Sequence, residues 1–149
     1  MPTPPVVPEL DVANLAVSLQ FYRSVLGFNC RFERPEEQFA YLTRGPVHLM
    51  LEQAEGPGRR FRTAPLEPPY GRGINLQIEV PDIDLLYAQA SQAGANIYIS
   101  LEERWYLQGD QEAGVRQFVV MDPDGYLLRF SGSLGRRPAR VRGETDDLG

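Results

Sequence analysis

The sequence predicts an α+β protein made of two tandem βαβββ modules, whose curved mixed sheets form a cleft. Three observations support this fold class: an amphipathic helix follows an N-terminal strand, a second strand and helix begin later, and three strand-like segments follow each helix. Tyr22 and Tyr87 stand 65 positions apart in the two helices. Because Gly27 and Gly94 end these helices, the two halves indicate a degenerate internal duplication.

The first module is predicted to cover about residues 6–53. Residues 6–12 alternate between apolar and polar side chains as a strand does, and Pro8 favours an edge position for it. Asn14 can cap a helix whose apolar residues recur every three or four positions until Gly27 stops it. Three more strands are expected, at residues 29–33, 38–43 and 47–53.

A linker and a second module follow. Glycines and prolines interrupt every periodicity in residues 54–73, and a loop of this length usually links units or covers a site. The second module is expected over about residues 74–132. Its segments are a strand at 74–80, a helix from Pro81-Asp82 to Gly94, a strand at 97–101 and an irregular polar and aromatic loop at 102–114.

A tight hairpin completes the second module. Asp122-Pro-Asp-Gly125 lies between the apolar runs 118–121 and 126–130, and Pro and Gly supply the backbone angles that such a turn needs. Residues 133–149 then change from basic to acidic composition with few apolar side chains. This composition predicts a flexible polar tail after a single domain that ends near residue 132.

Charge and cysteine content limit the classes of function. The chain has 149 residues, with 15 Lys and Arg against 20 Asp and Glu, and this net charge of −5 argues against a nucleic-acid partner. One cysteine, Cys30, permits no intrachain disulfide. The N-terminal segment lacks the pattern of a secretory signal, and no apolar run is long enough to span a bilayer. We therefore expect a cytoplasmic protein without a membrane partner.

The helix ending F-Y-x-x-x-L-G-F and the late D-P-D-G-x-x-L hairpin together resemble the vicinal oxygen chelate superfamily, over roughly residues 6–132. That superfamily includes glyoxalases, extradiol dioxygenases, fosfomycin-modifying enzymes and bleomycin resistance proteins. The segment CRFERPEEQFAYLTRGPVHLMLEQ is most similar to the bleomycin-binding members. The resemblance implies a ligand cleft and a homodimer that exchanges its N-terminal strand near a proline, which Pro8 matches.

Most enzymes of that superfamily bind a divalent metal through inward-facing strand residues. The corresponding positions here hold Val7, Asn75 and Arg129. Valine has no donor atom, neutral asparagine is a poor ligand for a catalytic divalent ion, and a guanidinium repels a cation. The chain also has only one histidine. We therefore expect no metal, no cofactor and no catalysis.

Two alternatives stay open. His48 shares a strand face with Glu52, and these two side chains with Glu79 offer unconventional ligands for a metal-dependent lyase, dioxygenase or transferase such as a glyoxalase, extradiol dioxygenase or thiol transferase. The other alternative is a binding module for a different metabolite, whose anionic group would pair with Arg129.

Strand alternation predicts an acidic inner face with aromatic side chains beside it and Arg129 as its lone cation. Carboxylates beside aromatic surfaces suit a flat, cationic, amphipathic ligand. Together with the resemblance, this predicts a metal-independent protein that sequesters bleomycin-type glycopeptide antibiotics and so confers resistance. The predicted ligand-binding residues are Phe32, Phe39, Tyr41, His48, Glu52, Asn75, Gln77, Glu79, Trp105, Tyr106 and Arg129.

Overall fold

The computed structural model describes residues 2–140, which form two four-stranded sheets. The first sheet contains β1 (Glu9–Val12), β2 (Asn29–Arg34), β3 (Phe39–Arg44) and β4 (Val47–Gln53), in the order β1-β4-β3-β2. The second contains β5 (Asn75–Glu79), β6 (Asn96–Gln108), β7 (Gln111–Met121) and β8 (Leu127–Pro138), in the order β5-β8-β7-β6. In each sheet the first strand runs parallel to the last, and the other pairs are antiparallel. The predicted pair of βαβββ modules with mixed sheets is confirmed.

Each module carries one helix, and both helices begin near the predicted positions. The first, α1 (Leu15–Gln20), starts at Asn14, whose Oδ1 accepts a hydrogen bond of 3.2 Å from the backbone N–H of Val17. It continues as a π-helical turn over Phe21–Val25. Gly27 then adopts a φ of +78°, which glycine tolerates and which ends the helix as predicted. The second helix, α2, covers Ile83–Gln92.

One hydrophobic cluster joins the two modules. Alternate strand residues such as Leu51 and Phe130 point toward the helices, where Tyr22, Leu26 and Leu86 are fully buried. We call the opposite face of each sheet, which carries the remaining alternate residues, the inner face. The shared core therefore fixes the two modules against each other. The inner faces do not belong to this core and are available to bind a ligand.

Polar contacts across the module boundary add to that core. The Arg44 guanidinium donates to both carboxylate oxygens of Asp82, at 3.2 and 3.1 Å. The Tyr126 hydroxyl donates to the backbone carbonyl of Asp11 at 3.0 Å. The Asp124 carboxylate accepts a bond of 3.0 Å from the backbone N–H of Ala13. These bonds tie the end of β3 to the start of α2, and the end of β1 to the final hairpin of the second module.

The prediction of an irregular loop over residues 102–114 is wrong. Strands β6 and β7 continue through this stretch and turn at Gly109-Asp110, where Gly109 has a φ of +68°. The dipeptide Gly-Asp is itself a hairpin signal. The polar and aromatic composition of the flanking residues led to the prediction of a loop instead. Strand β8 extends to Pro138 beside β7, so residues 133–138 of the predicted tail are a strand. Residues 141–149 of that predicted tail lie outside the described residues.

Strand β1 is shorter than predicted, because pairing with β4 begins at Glu9. Just before it, the carbonyl of Pro8 accepts a hydrogen bond of 2.9 Å from the Met50 N–H. The N-terminal strand therefore pairs with β4 of its own chain, and its exchange between two chains stays a prediction.

No helix within residues 2–140 is long and apolar enough to cross a membrane.

Candidate ligand-binding site

The predicted ligand-binding residues share the inner faces of the two sheets, except for Trp105. Residues that pair in register point to the same face of a sheet. Phe39 pairs with Glu52 in the first sheet, and Gln77 pairs with Arg129 in the second. Extending this register along the strands places the following residues on the inner faces: Phe32, Phe39, Tyr41, His48, Glu52, Asn75, Gln77, Glu79, Tyr106 and Arg129.

An aromatic cluster occupies the inner face of the first sheet. Phe32 stacks on Tyr41 with ring centroids 5.0 Å apart and an interplanar angle of 18°, and the Phe39 ring lies 6.3 Å from Phe32. The Tyr41 hydroxyl and His48 Nδ1 are hydrogen-bonded at 2.7 Å, and both side chains are buried. Phe32 is 43% exposed, so it presents one ring surface to a ligand.

Arginines from the linker cover the acidic part of this face. Arg60 Nη1 lies 2.5 Å from Glu52 Oε1, and the Arg60 guanidinium also donates to backbone carbonyls of residues 53–58. Arg62 Nε lies 3.3 Å from Asp11 Oδ2. We call residues 54–62 the arginine strap. The prediction that the inner face is acidic with Arg129 as its lone cation is therefore wrong, because two of its carboxylates are neutralised by the strap.

The strap lies directly on the sheet. A Cβ on Gly58 would come within 1.9 Å of Glu52 Oε1, so a larger residue there would have to displace that carboxylate. The first part of the predicted linker therefore covers the inner face of the first sheet. Sequence periodicity contains no information about the path of a loop, although arginines among the linker glycines next to inner-face acids were a signal for this contact.

Glu9 is an inner-face acid whose pKa is raised. Partial burial raises the pKa of the Glu9 carboxyl most, and the Glu52 and Asp11 carboxylates raise it further, while Arg34 and Arg60 act in the opposite direction. Among the described residues, Glu9 lies in no ion pair, in contrast to Asp11 and Glu52. A cationic group would therefore be stabilised more by the Glu9 carboxylate than by the carboxylates of Asp11 and Glu52, which are already paired.

Two cavities lie beside the second sheet and share Asn75 as a lining residue. One, of about 240 Å³, is lined by Asn75 and Arg129 together with four apolar or aromatic residues: Tyr98, Ile99, Val119 and Leu127. The other, of about 340 Å³, is lined by His48, Asn75 and Gln77 together with the N-terminal segment. Since His48 is bonded to Tyr41, the second of these cavities adjoins the aromatic cluster. The structure thus brings four of the predicted residues to these cavities: His48, Asn75, Gln77 and Arg129.

Arg129 has donor capacity left in its cavity. Its Nη2 donates to Gln77 Oε1 at 2.8 Å, whereas its buried Nε has no hydrogen-bond partner within residues 2–140. Glu79 lies on the same face and is exposed. Arg129 and Glu79 can therefore both still contact a ligand on this face.

Trp105 is not brought together with the other predicted residues. Its ring packs over Gly114, where an added Cβ would lie 2.7 Å from the ring, and the Arg137 guanidinium stacks 3.9 Å from its centroid. Its neighbour Tyr106 points to the inner face and accepts a hydrogen bond of 2.8 Å from Gln117 Nε2. Adjacent strand residues point to opposite faces, so the two aromatic side chains of this predicted loop cannot share one site.

The donor groups of this region do not fit a divalent metal. Within residues 2–140, no three His, Cys, Asp or Glu side chains form a group able to hold one. The three side chains of the unconventional set are separated, because His48 bonds Tyr41, Glu52 bonds Arg60, and Glu79 lies on the other sheet. Asn75 and Arg129, at the superfamily positions on the second sheet, supply an amide and a guanidinium, which are unsuitable ligands.

Comparison with known proteins identifies the family of this chain. The family model described as the Glyoxalase/Bleomycin resistance protein/Dioxygenase superfamily matches residues 7–130. No curated protein matches the chain.

Several solved structures share the fold. TioX from Micromonospora sp. ML1 is 22% identical, with 86% of this chain and 97% of TioX covered and a TM-score of 0.69. A virulence protein from Salmonella typhimurium is 24% identical, with 85% and 93% covered and a TM-score of 0.65. A glyoxalase/bleomycin resistance protein/dioxygenase from Alicyclobacillus acidocaldarius is 21% identical, with 87% and 90% covered and a TM-score of 0.60. At these identities the likeness shows the fold alone.

Proposed function

Since the chain belongs to the Glyoxalase/Bleomycin resistance protein/Dioxygenase superfamily, we propose that it is a metal-independent binding protein that sequesters bleomycin-type glycopeptide antibiotics. In this function it confers resistance by holding the antibiotic, without catalysis. The observation that carries the proposal is the aromatic cluster with its exposed Phe32 ring, on a face whose side chains do not suit a metal.

The aromatic cluster supports the binding of a planar group. Phe32 is held parallel to Tyr41, and Tyr41 is held by its bond to His48, so the exposed ring is fixed before a ligand arrives. Offset stacking on such a ring favours flat heteroaromatic groups such as a bithiazole. Pre-organisation also lowers the conformational entropy lost on binding.

The remaining acids support recognition of a charged tail. Glu9 and Glu79 lie on inner faces and, among the described residues, in no ion pair, unlike Glu52 and Asp11. A cationic tail that reaches either carboxylate gains a charge-assisted hydrogen bond without breaking an existing pair. Of the acids predicted on the inner face, Glu9 and Glu79 are therefore the two proposed to bind the charged tail.

Calorimetric titration with metal-free bleomycin tests this function. We expect saturable binding near one ligand per chain, unchanged by a chelator, and at least tenfold weaker binding in Phe32→Ala, because the stacking surface is removed. Leu85→Ala is the matched control, since Leu85 is 57% exposed and lies on α2, away from the inner face. Trp105 emission should stay unchanged on binding, because its ring packs away from the inner face.

Two results would contradict the proposal. The absence of heat at a high bleomycin concentration would remove the antibiotic as the ligand. The second is chemical modification of bleomycin during incubation with the protein, detected by mass spectrometry. Such turnover would favour an enzyme over a sequestering protein.

A second candidate function is supported by Arg129. Its buried Nε lacks a partner within the described residues, and the cavity around it is mostly apolar. A guanidinium that lines a mostly apolar cavity suits the carboxylate of a small amphipathic metabolite. Loss of binding of such an acid in Arg129→Glu, with bleomycin binding absent from the wild-type protein, would favour this candidate over sequestration.

A further inference from the structure

A larger cavity lies away from the inner face, at the junction of the two modules. Its volume is about 740 Å³, and it shares no lining residue with the two inner-face cavities. Four segments surround it: the π-helical turn after α1, the linker at 68–70, the residues after α2 at 93–96, and the turn at 121–125. Neither the predicted site nor the proposed function uses this cavity.

Two carboxylates line the cavity without a counter-ion. Asp122 and Asp124 are among its lining residues, which include no lysine, arginine or histidine. Within residues 2–140, neither aspartate lies in an ion pair with a basic side chain, and their hydrogen bonds come from neutral donors. The linker cation Arg72 is engaged elsewhere, since it donates to the carbonyls of Pro68 and Pro69. The cavity therefore has an uncompensated negative charge.

The two aspartates differ in their capacity for a ligand. Asp122 is 4% exposed and accepts three bonds, from the Tyr22 hydroxyl and from the backbone N–H groups of Asp124 and Tyr126. Asp124 is half-buried and accepts one bond of 3.0 Å from the Ala13 N–H and a long one of 3.4 Å from the Ser18 hydroxyl. Asp124 is therefore the carboxylate with acceptor capacity left for a cation.

The rest of the wall is apolar and firmly held. Phe21 and Val25 lie at the two ends of the π-helical turn, and single π-helical turns occur often at functional sites. The Tyr70 N–H donates to the Asp124 carbonyl at 2.7 Å. A Cβ on Gly71 would approach Tyr126 within 2.6 Å, so the linker packs tightly on the turn. A rigid apolar wall beside one available carboxylate favours an amphipathic cation.

We propose that this cavity is a second binding site, which takes an amphipathic organic ammonium ion with its charged group at Asp124 and its apolar part against Phe21, Val25 and Tyr70. The volume lies within the range of small-molecule sites, about 300–1,000 Å³. A partly desolvated carboxylate with no counter-ion favours a cation over a neutral molecule of the same shape, because the cation neutralises it in a region of low dielectric. The site does not depend on the sequestration proposed for the inner face.

The probes that test this site are 2-phenylethylammonium and the neutral alcohol 2-phenylethanol, which is similar in shape. Titrations followed by ¹⁵N NMR should show saturable shifts of backbone amides at 93–96 and 121–125. The ammonium ion should bind at least fivefold more tightly than the alcohol. In Asp124→Asn, ammonium affinity should fall to about that of the alcohol, while alcohol affinity stays unchanged. Glu36→Gln, which removes an exposed acid outside both sites, is the matched control and should bind like the wild-type protein.

A second variant covers the case in which Asp124→Asn does not fold. Asn96→Lys changes an exposed residue at the cavity and adds an ammonium group of the chain itself, which should compete with the probe and weaken it at least fivefold. Equal affinity for the ammonium ion and the alcohol, or wild-type affinity in a folded Asp124→Asn or Asn96→Lys protein, would overturn the proposal. Failure of bleomycin to bind would concern the inner face only, so the two proposals can fail separately.

Discussion

Asp122 shows how one side chain connects the motif of the hairpin to the rest of the fold. Its Oδ1 accepts bonds of 2.9 Å from the N–H groups of Asp124 and Tyr126, and these bonds shape the turn. Its Oδ2 accepts a bond of 2.7 Å from the Tyr22 hydroxyl, which belongs to the first module. The sequence predicted the turn from Pro and Gly, but the bond between positions 22 and 122 spans the chain and has no local signal.

Removing the Tyr22 hydroxyl should therefore destabilise the whole protein. Tyr22→Phe leaves a buried carboxylate oxygen without its donor, and loss of one partner of a buried bond costs about 1–3 kcal/mol. Urea unfolding followed by circular dichroism measures this change. Tyr98→Phe is the matched control, because Tyr98 is 59% exposed, and it should change the free energy of unfolding by less than about 0.5 kcal/mol. A similar small change in Tyr22→Phe would contradict this role.

Asp124 should make stability depend on pH in a defined direction. Burial raises the pKa of its carboxyl above the ordinary value of 3.8, while the bonds from Ala13 and Ser18 oppose the shift. As pH rises from 3.8, the unfolded chain loses this proton first, so the folded state is increasingly disfavoured until its own raised pKa is passed. Asp124→Asn removes this penalty. Its free energy of unfolding should therefore rise relative to wild type between pH 4 and pH 7.

Denaturant titrations of both proteins at several pH values measure this difference. Any effect of the substitution that does not depend on pH adds a constant to the difference in the free energy of unfolding. The change of that difference with pH therefore reports the titration of Asp124 and its influence on the pKa of Asp122. A constant difference between the two proteins over this range would show that the folded and unfolded pKa values of Asp124 are the same.

At the scale of elements, alternation along strands predicted the face on which each side chain lies where the strand was recognised. His48 and Glu52 on β4 and Gln77 on β5 lie on the predicted faces, because a period of two fixes the direction of each side chain. Trp105 was misplaced because its segment was interpreted as a loop, in which no alternation applies. The arginine strap was missed because its position depends on contacts between distant residues, such as Arg62 with Asp11.

The strap should contribute strongly to stability through Arg60. Glu52 is 6% exposed, and Arg60→Gln leaves this buried carboxylate without a cation, which costs about 3 kcal/mol when a buried pair loses one partner. The double variant Glu52→Gln/Arg60→Gln should recover part of the loss, because no charge stays buried. Arg72→Gln is the control, since its pair with Glu67 is exposed and 4.0 Å long, and it should cost less than about 0.5 kcal/mol.

Urea unfolding of the wild-type protein, Arg60→Gln, Glu52→Gln and the double variant gives the coupling energy of the pair directly. Equal losses in Arg60→Gln and Arg72→Gln would mean that the strap does not hold the inner face. Partial recovery in the double variant would instead show that the charge of Glu52, rather than the volume of Arg60, is responsible for the loss.

At the scale of the whole molecule, the single core explains why the two modules behave as one unit, whereas the inner faces expose apolar side chains. On the second sheet Tyr98, Ile99 and Tyr106 are 59%, 39% and 41% exposed, and the first two line the cavity that contains Arg129. Exposed apolar side chains of this kind on one sheet often mark an interface. We propose that two copies of the chain cover this surface in a homodimer, as the resemblance to bleomycin-binding proteins implied.

Sedimentation equilibrium tests the dimer. We expect a species of about 34 kDa, twice the 16.8 kDa of the chain, at micromolar concentration. Tyr98→Asp places a charge in the covered surface and should shift the equilibrium toward monomer at least tenfold, since an unpaired buried charge is strongly unfavourable. Leu85→Asp on α2 is the matched control, because Leu85 is 57% exposed on the helix side and should leave the dimer intact. A monomer at every concentration would contradict the homodimer, and an unchanged dimer in Tyr98→Asp would place its interface on another surface.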